Sequence, residues 1–207
     1  MRPILRLLAQ PTCILCNLST INQSLCETCN ESLPTSLWTP GLQIKNIDKT
    51  FVLGDYSQTP GRLVRLAKYG KREDAARLIG AALAKAVRHQ DPLFDVVTPV
   101  PQSWPKSMWR GFSPVEIIAH SIGKTLNTPI HNSLGRKSGK SMAAANTRHR
   151  NEIAKSQFFI RMPPRRERIL LIDDVLTTGT TASVCAGLLK SKGAKEVFLV
   201  AAASPLI

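Results

Sequence analysis

Two rhythms of apolar and polar positions run along the chain, and the switches between them outline the fold. Ile169–Ile172 is an unbroken run of branched apolar residues, the pattern of a strand buried on both faces of a parallel sheet. After it, Ala182, Val184, Cys185, Leu188 and Leu189 keep helical spacing until Gly193 supplies a C-terminal stop. Upstream, Thr50–Tyr56 reads as a strand. A helical pattern starts at Gly61 with Leu63, Val64, Leu66 and Ala67, and breaks at Lys68-Tyr69-Gly70-Lys71. The next helix gathers Ala75, Leu78, Ile79, Ala82, Leu83 and Ala86 on one face. Phe94–Val100 is the following strand, and Pro99 marks its end because proline cannot donate to a central ladder. A helix over 114–126 opens with Ser113 as cap, Pro114 at its first position and Glu116 completing a capping box. Phe158–Ile160 and Glu196–Ala202 are the remaining strands. This alternation predicts an α/β fold, a mostly parallel sheet with flanking helices.

The ends of the chain read differently. Residues 1–35 offer few core-forming features beyond cysteines, and Leu33 to Lys49 contains Pro34, Pro40 and Gly41, the composition of a linker. The expected organisation is therefore a small cysteine-rich segment over 1–35, a linker over 36–49 and one α/β domain over 50–207. A length of 207 residues suffices for such a domain and its appendage. No apolar run approaches a membrane span, so no membrane insertion is expected. The start, MRPILRLLAQ, carries Arg6 inside its apolar segment with no small-residue cleavage site after it, which points to a cytoplasmic protein.

Charge narrows the partners. The formal net charge is +14, and self-repulsion of that size is usually tolerated for a polyanion, nucleic acid being the commonest. The plainer alternative is a soluble basic surface. Basic residues crowd two places: Arg136, Lys137, Lys140, Arg148 and Arg150 in the hydrophilic stretch from His131 to Asn151, and Arg165, Arg166 and Arg168 before the main strand. A long polar insertion in a compact domain is a functional lid or is disordered. Trp104 and Trp109 offer stacking faces, although core packing is the expected use of at least one.

Four of the five cysteines form two Cys-x-x-Cys pairs, Cys13/Cys16 and Cys26/Cys29. Paired knuckles let four thiolates converge on Zn²⁺ as a closed, structural site, and the metal would supply much of the folding free energy of so small a segment. Redox use of Cys-x-x-Cys is the competing reading; two copies so close together favour metal. Cys185 falls in the apolar pattern of its helix and reads as a packed small hydrophobe.

The main chemistry follows the ILLI strand. Asp173 and Asp174 stand where it should end, and Thr177-Thr178-Gly179-Thr180-Thr181 leads into the helix. A hydroxyl-rich turn at a helix N-terminus is a phosphate site, because free N–H groups and the helix dipole face the anion. Carboxylates at a strand end accept hydrogen bonds from vicinal ribose hydroxyls, and they also suit Mg²⁺, which takes carboxylates together with phosphate oxygens. In order, these residues resemble the phosphoribosyl pyrophosphate (PRPP) motif of type I phosphoribosyltransferases. That likeness implies ribose-hydroxyl binding and catalytic roles at Asp173 and Asp174, and a 5-phosphate cradle over Val175 and Thr177–Thr181. It also implies a pyrophosphate turn at Pro101, Gln102 and Ser103, and Mg²⁺ bound together with PRPP.

Taken together, the four N-terminal cysteines, Lys68-Tyr69, Pro99-Val100-Pro101, Arg110-Gly111-Phe112, Arg148 with Asn151, and Asp173–Thr181 resemble the ComF family (competence protein F, including GntX-like proteins). Lys140 stands about where many members carry a glutamine. The resemblance implies an N-terminal zinc finger on a type I phosphoribosyltransferase-like domain. It also implies a cytoplasmic role in natural transformation, with single-stranded DNA, PRPP and other DNA-uptake proteins as partners. Arg110, Arg136, Lys137, Lys140, Arg148 and Arg150 are the DNA-contacting residues expected on that reading. Two alternatives stay open: a metabolic phosphoribosyltransferase with a small acceptor, and a PRPP-binding regulator without catalysis. The sequence does not decide whether transfer occurs.

Overall fold

The computed structural model describes residues 11–21, 23–89, 94–137 and 157–205. In chain order its elements are α1 (Glu27–Glu31), β1 (Lys49–Asp55), α2 (Thr59–Tyr69), α3 (Glu73–Arg88), β2 (Val96–Pro99), α4 (Trp104–Arg110), α5 (Pro114–Leu126), β3 (Leu134–Arg136), β4 (Phe158–Ile160), β5 (Arg168–Val175), α6 (Thr180–Ser191) and β6 (Glu196–Ser204). Four strands form a sheet in the order β1-β6-β5-β2, and every neighbouring pair is parallel. The α/β expectation of a mostly parallel sheet is thus borne out.

The sheet is buried on both faces, and its strands show why an unbroken apolar run was the right signature. Successive side chains point to opposite faces. Leu170 and Ile172 enter one core with Phe198, Val200, Phe51 and Leu53, beneath α2, α3 and α5. Ile169 and Leu171 enter the other with Val197, Leu199 and Val52, beneath α6. Ile169, Leu170, Leu171 and Ile172 are fully buried, so truncating any one to alanine should cost about 2–5 kcal/mol.

Local chemistry sets the helix ends. Ser113 caps α5 by accepting from the Glu116 N–H at 3.4 Å, and Asn127 ends it in the left-handed region at φ 53°. Between α2 and α3, Gly70 closes the first helix and Lys71 takes φ 52°, which is the break seen in the pattern. Helix α4 was not expected. Its signals are Pro105 in the first turn and Gly111 at φ 83° as the left-handed C-cap.

Three further features differ from the pattern. Strand β5 continues through Asp173 to Val175 because β6 extends beside it, pairing Asp173 with Ala201 and Val175 with Ala203. Leu134–Arg136, within the polar stretch expected to be a functional lid or disordered, pairs antiparallel with β4; residues 138–156 lie outside the described residues. Residues 36–49 lie against the sheet: Trp38 and Val52 exchange two backbone hydrogen bonds of 2.8 Å, and Ile44 is buried. Further upstream, Ile14, Leu15, Leu33 and Leu37 pack on the first core, and Arg62 donates to the Leu15 carbonyl at 2.6 Å. Among the described residues no helix is long and apolar enough to cross a membrane.

Candidate functional site

The polar residues of the main motif collect at the C-terminal edge of the parallel sheet, where crevices form in open α/β folds. Asp174 is 5% exposed, and both its oxygens are engaged. Lys68, in the last turn of α2, places Nζ 2.7 Å from Oδ1, and Gln102 donates through Nε2 to Oδ2 at 2.7 Å. Arg110 braces both partners, donating from Nε to the Lys68 carbonyl at 2.8 Å and from Nη1 to Gln102 Oε1 at 3.0 Å. The pleat sends Asp173 the other way, toward the Arg136 guanidinium and the Cys185 thiol, which burial keeps un-ionised. Burial, then the neighbouring Asp174 carboxylate, push the Asp173 carboxyl up to about 8. At the strand tip both aspartates still reach one cavity of about 380 Å³, lined also by Lys68, Tyr69, Pro101, Gln102, Ser103, Arg136, Val175 and Thr181.

Beside this cavity, Gly179 occupies the N-cap of α6 at φ 71°, a conformation costly for any residue with a Cβ. A Cβ there would lie 2.7 Å from Ile44 Cδ1, so the Ile44 side chain would have to shift to admit one. The hydroxyls of Thr178 and Thr180 are 3.0 Å apart, and the first N–H groups of α6 point out of the helix. Gln43, Ile44 and Lys45 wall a further cavity of about 380 Å³ with Thr178, Gly179 and Thr180. Sequence reasoning missed this support for the turn. Asn46 at φ 69° is the signal available in a stretch otherwise read as linker.

The pyrophosphate-turn residues Pro101, Gln102 and Ser103 share the first cavity with the aspartates, as expected of neighbours in one site. Of the residues expected to contact DNA, Arg110, Arg136 and Lys137 are described, and Arg110 and Arg136 line the cavity of the aspartates. Arg110 is turned inward, as described. Arg136 is half-buried, donates to Gln157 Oε1 at 2.9 Å and lies 5.3 Å over the Phe158 ring. Lys137 is exposed. Lys140, Arg148 and Arg150 lie outside the described residues. Trp104 and Trp109 are 66% and 57% exposed, so neither packs in the core as expected for at least one. A larger cavity of about 600 Å³ opens between α4, the start of α5 and β3, lined by Trp104, Met108, Phe112, Glu116, Asn132 and Arg136 among others.

The cysteine cluster forms a separate site. The Sγ atoms of Cys13, Cys16, Cys26 and Cys29 all lie within 4.8 Å of one another, with Cys16 and Cys26 at 3.5 Å. Tetrahedral Zn–S bonds near 2.3 Å put sulfurs about 3.8 Å apart, so the four thiols could hold a metal ion and match zinc. At Cys13 burial opposes ionisation, but backbone N–H groups of Cys26, Leu15 and Cys16 outweigh it and lower the thiol to about 6.

No protein-family model matches the chain. Competence protein F of Haemophilus influenzae is 25% identical over 160 residues, covering 72% of this chain and 70% of that protein. DNA utilization protein YhgH of Salmonella typhi is 28% identical over 155 residues, covering 70% of this chain and 67% of that protein. The chain is a homologue of these proteins. The ComF resemblance read from the motifs is borne out by them. Among solved structures, adenine phosphoribosyltransferase from Leishmania tarentolae aligns with a TM-score of 0.45 at 16% identity, over 77% of this chain and 78% of that one. The allosteric regulatory enzyme of purine biosynthesis aligns at 0.48 with 18% identity; the match covers 67% of this chain and 30% of that much longer one.

Proposed function

We propose that the chain is a ComF-type factor of natural transformation that handles incoming single-stranded DNA in the cytoplasm and binds Mg-PRPP at the C-terminal end of β5. One observation carries the PRPP part: Asp173, Asp174, Lys68 and the pyrophosphate-turn residues share one cavity beside the left-handed turn at Gly179. The names of the homologues, Competence protein F and DNA utilization protein YhgH, support the DNA part, as does the net charge of +14.

The donor set suits a magnesium-bound diphosphate. A half-buried carboxyl pushed toward protonation by burial and a second carboxylate is a place where a divalent cation relieves both penalties. Asp173 and Asp174 would hold the ribose hydroxyls and the ion, which when bound neutralises diphosphate charge. The turn at Thr177–Thr181 would accept the 5-phosphate on the N–H groups opening α6. Lys68 supplies the cation that settles Asp174 before ligand arrives, and Arg110 fixes the backbone of Lys68 and the amide of Gln102. Any transfer chemistry would draw on this fixed electrostatic frame. In the cysteine segment we place one structural Zn²⁺, and we assign 1–35, 36–49 and 50–207 as finger, connector and catalytic-type domain.

A second reading, transfer to a small acceptor, is favoured by the cavity of about 600 Å³ that shares Pro101, Gln102 and Arg136 with the PRPP site. Calorimetric titration of Mg-PRPP tests the site. Asp173→Asn with Asp174→Asn should abolish measurable binding, and unchanged affinity would overturn the assignment. Pyrophosphate release stimulated by oligonucleotide favours the first reading; release stimulated by a free nucleobase favours the second.

A further inference from the structure

Helix α4 carries an unusual surface for so short an element. In the sequence Trp104-Pro105-Lys106-Ser107-Met108-Trp109-Arg110, aromatic and basic residues interleave. Trp104 and Met108, one turn apart, are 66% and 59% exposed, and Trp109 is 57% exposed. Tyr69, the last residue of α2, is 67% exposed and lines the same cavity as Trp109 and the two aspartates. Trp104 and Met108 instead line the 600 Å³ cavity. Lys71 holds Nζ 4.0 Å above the Trp109 ring from a backbone at φ 52°, which few non-glycine residues adopt. Large apolar side chains clustered in the open mark a surface that something covers.

We infer that α4 and residues 69–71 at the end of α2 form a base-stacking platform for single-stranded nucleic acid, placed at the rim of the carboxylate site. The inference rests on the DNA-handling reading and says where the strand lies. Charge selects the occupant. Lys71 lies over the Trp109 ring. Lys68, Arg110 and Arg136, themselves hydrogen-bonded or paired within the site, line the cavity with Trp109 and the two aspartates. Arg136 and Arg161 line the cavity with Trp104 and Glu116, on a chain of net charge +14. A polyanion with exposed aromatic faces fits that mixture, since bases stack on the rings while phosphates meet the cations. A duplex hides its base faces and meets only the charges. Because Trp104 and Trp109 flank the two cavities, a strand stacked on them passes directly in front of Asp173 and Asp174.

The test uses the full chain, a labelled oligothymidylate, an abasic oligomer of equal length and a duplex. Trp104→Ala with Trp109→Ala should weaken oligothymidylate binding about 5- to 150-fold for each ring that stacks. The salt slope should stay unchanged, since no phosphate contact is lost, and Trp104→Phe with Trp109→Phe should restore most of the affinity. Lys71→Ala should instead flatten the slope by about 0.7. The abasic oligomer and the duplex should bind wild type and the double alanine variant alike. Melting temperature should be unchanged, because both rings are exposed. Equal oligothymidylate affinity in wild type and double variant overturns the platform while leaving the DNA reading intact. Equal losses against the abasic oligomer also overturn it. So does a dimer in sedimentation that the double variant breaks with oligonucleotide binding unaltered, which would make the surface a self-interface. Wild-type protein that binds no oligonucleotide at low salt overturns the DNA reading itself.

Discussion

Replacing Lys68 by methionine keeps the length of the side chain and removes its charge, which isolates the pair with Asp174. The carboxylate would retain Gln102 as donor at 2.7 Å and lose the ammonium at 2.7 Å. Breaking a fully enclosed pair from one side costs about 3–5 kcal/mol, because a buried charge is left uncompensated. Here the Lys68 side chain is 19% exposed against 7% for Asp174, so water reaches the gap and the expected cost is nearer 2–3 kcal/mol. For a chain of this size that lowers Tm by about 4–12 °C. Asp174→Asn leaves one acceptor oxygen for two donors, so its amide NH2 must face either Lys68 or Gln102, and it too should destabilise, by about 1–3 kcal/mol. The double variant should be less destabilised than the sum of the two by roughly 1–2 kcal/mol. Urea unfolding of wild type, both single variants and the double variant measures this. Additivity within about 0.5 kcal/mol would mean that the two side chains do not meet in solution, and the picture of a carboxylate held ready by Lys68 would fail.

Other outcomes follow from the same geometry. Asp173 has its folded pKa raised to about 8 against about 3.9 in an unfolded chain. Between those values the folded state binds the extra proton, so its contribution to stability falls as pH rises. Denaturation midpoints across pH 4–8 should show a slope that Asp173→Asn removes, and Mg-PRPP affinity, which needs the ionised form, should rise over the same window. Gly179→Ala should cost about 1–2 kcal/mol from the left-handed backbone alone, with further loss from Ile44, and should weaken PRPP binding by calorimetry. Metal analysis should find one Zn²⁺ per chain, the number one Cys₄ site holds. Cys26→Ser should release it and open residues 11–35 to protease. Intact resistance in the metal-free protein would refute a structural ion.

The sequence by itself determined whatever depends on near neighbours. The ILLI run announced a doubly buried strand because each residue need only face one of two apolar layers. The caps of α5 and the spacing of the cysteine pairs are equally local, since a cap or a knuckle is built from residues a few positions apart. The Asp-Asp-then-Thr-Thr-Gly-Thr-Thr order placed carboxylates and phosphate turn together for the same reason: a strand running into a helix fixes their distance. Tertiary structure alone decided the rest. Nothing in the Lys68-Tyr69-Gly70-Lys71 break shows that Lys68 meets Asp174, because that contact depends on how α2 crosses the end of β5. Arg110 read as a surface cation, yet the fold turns it onto Gln102 and the Lys68 carbonyl, where its donors satisfy groups from two other segments. Ile44, in a stretch that read as linker, closes the space beneath Gly179, and Leu134–Arg136 became a strand only because Phe158–Ile160 lies beside it. Periodicity reports which side of an element is apolar. Which neighbour covers that side, and which aromatic rings are left uncovered on α4, is settled only when the elements pack.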